Sequence, residues 1–152
     1  MMNTQTMIEI LKAAMRIKGT AQITVSGFSM LPILENGQLI NIISKDDFTI
    51  GDILVFSYNP SELLVHRLLK IKNDKLYCKG DNCYRLEEIT KEQIIGSVEI
   101  DCDNHNNADF IKASLDLNKV ALEYNYNLNE IHKTQTYIDY KNTYLQGVSE
   151  CG

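Results

Sequence analysis

From residue 21 to residue 100 the chain breaks into short runs rich in β-branched and aromatic residues, at 22–25, 38–43, 53–57, 63–71, 75–78 and 94–100. Turn-forming clusters separate them: Glu35-Asn36-Gly37, Ile50-Gly51-Asp52, Asn59-Pro60, Lys72-Asn73-Asp74 and Gly80-Asp81-Asn82. Glycine accepts positive φ, and Asn and Asp side chains bond their own backbone, so such clusters end strands and reverse the chain. No long helical pattern intervenes, which disfavours the crossover helices that parallel strands need. The expected fold is mainly β, an antiparallel sheet or partly open barrel, with a helical turn at 90–94.

The flanks follow a different period. Met7, Ile8, Leu11, Ala14 and Met15 recur at helical spacing within residues 4–18, and Gly19 offers a stop. This N-terminal helix is expected to pack on the domain, with contact to a membrane surface as the alternative. Residues 101–109 are polar and Asn-rich and read as a linker. Helical spacing resumes over 110–132, with an Asn-rich break at 125–129, and again over 134–145. The tyrosines of this tail are expected to cover apolar surface while keeping their hydroxyls in water. The organisation expected is a helix (1–20), a core (21–100), a linker (101–109) and a C-terminal helical appendage (110–152), α+β overall.

Composition narrows the partners. A net charge of -5 over 152 residues disfavours nucleic acid, whose phosphates call for excess Lys and Arg. No apolar run is long enough to span a membrane. Glu9, Lys12, Arg16 and Lys18 interrupt the first helix, so it does not read as a signal peptide, and the expected compartment is the cytoplasm. Cys78, Cys83, Cys102 and Cys151 lack the spacing of a redox or zinc motif. Free thiols, no metal and no cofactor are expected.

Chemistry concentrates in two places. Ser26-Gly27-Phe28-Ser29-Met30-Leu31-Pro32 puts a serine after a flexible glycine and before a rigid corner. A serine hydroxyl needs a neighbour to take its proton. The other stretch with an obvious base, Val65-His66-Arg67, lies 37 residues on from Ser29 to His66. An imidazole titrates near neutrality, which suits a general base. In a strand, Val65 and Arg67 face away from His66. His105 and His132 sit in no motif and are expected to be solvated. Asp52 is expected to organise a turn.

Four blocks in order resemble the signal-peptidase-like serine peptidases, a superfamily that includes self-cleaving SOS-type repressors. They are the nucleophile box from Ser26 to Leu34, Gly51-Asp52-Ile53-Leu54-Val55-Phe56, the base box Leu64-Val65-His66-Arg67-Leu68, and Lys79-Gly80-Asp81-Asn82 followed by Gln93 to Val98. The resemblance implies Ser29 as nucleophile, His66 as base where membrane-bound bacterial members carry lysine, and Asp81 as the carboxylate that orients His66. It also implies a preference for small residues before the cut. Some relatives carry a serine just before the nucleophile to help hold the oxyanion. Phe28 stands there in this chain and cannot donate, leaving the backbone N–H of Ser29.

The function expected is therefore a serine endopeptidase that removes a leader or signal-like segment from a precursor peptide. The alternatives are a non-catalytic peptide-binding module of a maturation complex and a self-cleaving regulator. The regulators in the superfamily carry a DNA-binding domain ahead of the peptidase domain, whereas about 20 residues precede this core.

Overall fold

The computed structural model describes residues 3–148. The chain opens with helix α1 (Thr4–Lys18), continues through strands β1 (Thr20–Thr24), β2 (Leu39–Ile43), β3 (Ile53–Tyr58), β4 (Glu62–Lys72), β5 (Lys75–Lys79), β6 (Glu87–Ile89) and β7 (Ile94–Glu99), and ends in helices α2 (Ala108–Glu123), α3 (Leu128–Ile131) and α4 (Gln135–Tyr144). The strands form one antiparallel sheet in the order β1-β2-β7-β3-β4-β5-β6, a half-barrel.

Local signals explain most boundaries. The Asn3 side chain accepts the Thr6 N–H at 2.8 Å, and Gly19, at φ 73°, donates to the Met15 carbonyl at 2.9 Å, so both ends of α1 are capped. The turn expected at 90–94 is a 3-10 turn at Lys91–Gln93, closed by reciprocal bonds between Thr90 and Gln93. The six expected runs are β1 to β5 and β7. Strand β6 was not expected, because Glu87-Glu88-Ile89 is too short and too acidic to show an alternating pattern.

Three apolar clusters hold the elements. Ile8 and Met15 of α1 pack on Ile40, Ile42, Ile53, Val55, Ile95 and Val98, together with Met30 and Leu34 from the segment after Ser29. The other face of β3 to β6 buries Leu54, Phe56, Leu68, Leu76, Cys78 and Ile89. Each fully buried aliphatic side chain contributes about 1.5–3 kcal/mol before the cost of ordering the chain. The C-terminal helices form the third cluster around Phe110, Leu117 and Ile131. Tyr137 and Tyr140 are buried in it, unlike the wet hydroxyls expected of this tail. Their helix packs inward against α2 rather than only covering a surface. Cys78 and Cys102 are free thiols, and Cys151 lies outside the described residues.

Candidate active site

Register decides what His66 meets. In the β4–β5–β6 ribbon, Leu68 stands opposite Cys78, and Cys78 opposite Glu87. His66 is two residues from Leu68, so pleating puts His66, Cys78 and Glu87 on one face of the sheet. There His66 Nδ1 lies 2.6 Å from Glu87 Oε1. The pair is nearly closed to solvent, with side-chain exposures of 8% and 12%. An ionised carboxylate only accepts, so Nδ1 is the nitrogen that donates here, and in the neutral imidazole Nε2 then keeps its lone pair. Phe56 packs edge-on to the imidazole, with ring centres 6.3 Å apart.

The nucleophile box is tied to the same spot by the 80–83 turn. The Ser29 carbonyl accepts the Asn82 N–H at 2.9 Å, and the Phe28 carbonyl accepts Asn82 Nδ2 at 3.1 Å. Gly80 lies between nucleophile box and base. A Cβ on it would come within 2.7 Å of the Ser29 carbonyl oxygen and 3.1 Å of His66 Nε2. The turn can therefore seat against the backbone of Ser29 only where residue 80 has no side chain. Upstream, Gly27 takes φ 92° and donates to Asn36 Oδ1 at 2.8 Å, which sets the approach to Ser29. Met30 is buried beneath the site, and the Asp81 N–H points at its sulfur.

Ser29 and His66 line one groove of about 440 Å³, together with Ser26, Ile23, Leu63 and Met7 among others. Its walls are strand edges. Strand β1 pairs with β2 alone among the described strands, and β5 pairs with β4 only from Arg67 onward, so residues 62–66 lack a partner on that side. Val25 exchanges bonds with the β2 side through the Gln38 carbonyl and the Gly37 N–H, both at 2.8 Å. By alternation, the N–H and carbonyl of Thr24 project from the free edge.

Asp81, expected beside His66, is engaged elsewhere. Arg67 faces Lys79 across the ladder, on the opposite side of β4 from His66, and Asp81 follows Lys79 by two residues. Its two oxygens each lie 2.9 Å from Arg67, at Nε and Nη2, and Oδ2 also meets His105 Nδ1 at 2.9 Å. Arg67 bonds Asp103 in the same bidentate way, at 2.7 and 2.9 Å, and donates to the Gly51 carbonyl at 2.9 Å. Burial by itself would raise the Asp81 carboxyl, but the hydrogen bonds from His105 and Arg67 outweigh it and hold it below the usual aspartate value. Asp103 and His105 come from the segment read as a linker. His105 is 4% exposed and stacks on Phe110 at 4.0 Å between ring centres, so it is not solvated as expected. His132 pairs with the Tyr84 hydroxyl at 3.0 Å. Asp52 closes its own turn by accepting the Thr49 N–H at 2.9 Å and pairs with Lys45 at 2.8 Å.

The sequence blocks thus converge on β4. Gly51 and Asp52 bracket Leu68 through two backbone bonds of 2.8 Å, and Asn82 fastens the nucleophile box. Glu87 was missed because its strand was missed. Burial, and secondarily the Glu87 charge, push the Cys78 thiol far up, so that sulfur stays protonated. No cluster of three metal-ligating side chains exists among the described residues.

A family model described as Peptidase S24-like matches residues 3–99. The chain belongs to this family. Signal peptidase I of Bacillus caldolyticus is 35% identical over 77 residues, which is 47% of this chain and 42% of that protein. The chain thus spans less than half the length of that relative. Family membership covers α1 and the whole sheet, including Ser29, His66 and Glu87, and stops before the helices α2 to α4. No helix among the described residues is long and apolar enough to cross a membrane.

Proposed function

We propose that this peptidase is a serine endopeptidase in which Ser29 is the nucleophile, His66 the general base and Glu87 the carboxylate that orients the base. The observation that supports the reading is the His66–Glu87 pair, whose geometry in the neutral imidazole puts the proton on Nδ1 and turns the Nε2 lone pair toward the place where Gly80 and the Ser29 backbone meet. In attack, Ser29 Oγ bonds to the scissile carbonyl carbon and its proton passes to Nε2. The imidazolium so formed is stabilised by Glu87 through Nδ1–H. The proton then goes to the leaving amine, an acyl-enzyme remains on Ser29, and water releases it by the same base. Phe28 supplies no hydroxyl, so the oxyanion falls to backbone donors, the Ser29 N–H first among them. Asp81 acts one step away, by fixing the 80–83 turn rather than the imidazole.

The substrate is an extended peptide lying between the β1 edge and residues 62–66, an added strand in a sheet gap. A leader or signal-like segment of a precursor, met in the cytoplasm, fits this groove because a flexible leader can take up the extended form.

The decisive experiment is digestion of an unstructured peptide library, with products read by mass spectrometry. The parent protein should cut a defined subset and Ser29→Ala should cut none of it while keeping its fold by circular dichroism. Equal cutting by Ser29→Ala would overturn the assignment. An alkyl fluorophosphonate should label the parent at Ser29, and a protein that only binds peptides would stay unlabelled.

A further inference from the structure

The helices beyond residue 99 lie outside the family match, yet they reach the back of the catalytic turn. The Tyr140 hydroxyl of α4 donates to the Asp81 carbonyl at 2.5 Å. His105, from the segment leading into α2, holds the Asp81 carboxylate at 2.9 Å. Lys79, the residue before Gly80, is fully buried, bonds Ser114 of α2 at 2.7 Å and lies over the Tyr140 ring. Lys79 and Asp81 are therefore gripped by the C-terminal region, and Gly80 between them faces Ser29 and His66.

Resting on the peptidase reading of Ser29 and His66, we propose that the C-terminal helices are a positioning brace for that site, with Tyr140 and His105 as the residues that set where the 80–83 turn seats against Ser29 and His66. Beside the Asn82 side chain, which holds the Phe28 carbonyl, the turn meets the site through its backbone: the Asn82 N–H on the Ser29 carbonyl and the bare Cα of Gly80 facing Nε2. Backbone cannot be replaced by a rotamer change, so its position must be held from behind. Asp81 is gripped twice, at its carbonyl by Tyr140 and at its carboxylate by His105 and Arg67. Burial first, and the Asp81 charge second, raise the Tyr140 hydroxyl well above its usual value, which keeps it a donor. A shift of even part of an ångström at Gly80 would misalign Nε2 and Ser29, and such misplacement acts on the transition state more than on substrate binding. Tyr140 and His105 are positioning residues, not catalytic ones.

Tyr140→Phe removes one oxygen and keeps the ring. His105→Ala removes the grip on the carboxylate, and His105→Asn returns an N–H close to where Nδ1 stood. On a peptide that the parent cuts, Tyr140→Phe and His105→Ala should each lower kcat about tenfold, the worth of one lost hydrogen bond, with KM unchanged. His105→Asn should recover most of the loss. In ¹⁵N-histidine-labelled protein, Tyr140→Phe should also move the His66 ring resonances, which a purely structural role for α4 would leave in place. Parent kcat and unmoved His66 resonances in Tyr140→Phe, with Ser29→Ala inactive, overturn the brace and leave the peptidase reading intact. If Ser29→Ala cuts like the parent, the peptidase reading falls, and the His66 resonances alone decide whether the helices position that ring. Should His105→Ala not fold, Tyr140→Phe decides.

Discussion

At the scale of single residues, Glu87 and Asp81 meet different partners, the first His66 and the second Arg67, where one carboxylate was expected beside the base. Glu87 sits on the His66 face and Asp81 on the Arg67 face, because neighbouring positions of a strand point opposite ways. Glu87→Gln tests the first pairing. A glutamine amide can donate to Nδ1, which would move the imidazole proton to Nε2, the wrong atom for a base. The expected outcome is a fall in kcat of roughly two to four orders of magnitude with little change in KM, measured on a peptide the parent cuts. A loss under about tenfold would mean that His66 needs no orienting carboxylate. Ser29 and His66 were legible in the sequence as candidates, since each sits in a block whose neighbours have a mechanical reason to be there. Glu87 was not, because nothing in Arg85-Leu86-Glu87-Glu88 distinguishes one glutamate from the other until the strand register is known.

At the scale of elements, the sheet has a gap, and its two lips are β1 and the first half of β4. The Thr24 N–H projects from the β1 lip, so a proline at that position removes a donor to the peptide while leaving the ladder to β2 whole. Thr24→Pro should raise KM about tenfold, one hydrogen bond's worth, with kcat changed far less. Steady-state kinetics on the selected peptide measures this, and a changed thermal midpoint would show that the strand itself was damaged. Most elements were legible as periods: helical spacing for α1, short β-rich runs for six strands, turn clusters between them. Strand β6 was not, being three residues long, and it is the element that carries Glu87. The 101–109 segment reads as a linker because it is polar, and within it Asp103 and His105 hold a buried arginine and aspartate.

At the scale of the whole molecule, the Arg67–Asp81–Asp103–His105 cluster joins the sheet to the C-terminal helices. Arg67 and Asp81 are wholly buried, and removing one partner of such a pair costs about 3–5 kcal/mol. Because Asp81 has a lower pKa folded than unfolded, its contribution is complete above the ordinary aspartate value of about 3.9 and is lost as pH falls through the lower folded value. Urea unfolding of the parent and Asp81→Asn should therefore differ by about 3–5 kcal/mol at neutral pH, with the gap closing as acid is added below about pH 4. A gap that stays constant down to pH 2 would mean that Asp81 is not held ionised in the fold.

The amino-acid sequence by itself determined the mainly β core and the flanking helices, and it singled out Ser29 and His66 as the candidate nucleophile and base. Those depend on local preferences: strand periodicity, turn chemistry and the few residue types able to do acyl transfer. Only the tertiary structure decided which carboxylate faces His66, that Gly80 must be bare to admit the Ser29 backbone, and that the C-terminal helices stand behind the 80–83 turn. Each of these is a contact between residues far apart in the chain, set by strand register and by the packing of α2 and α4, and neither quantity is written in any one segment.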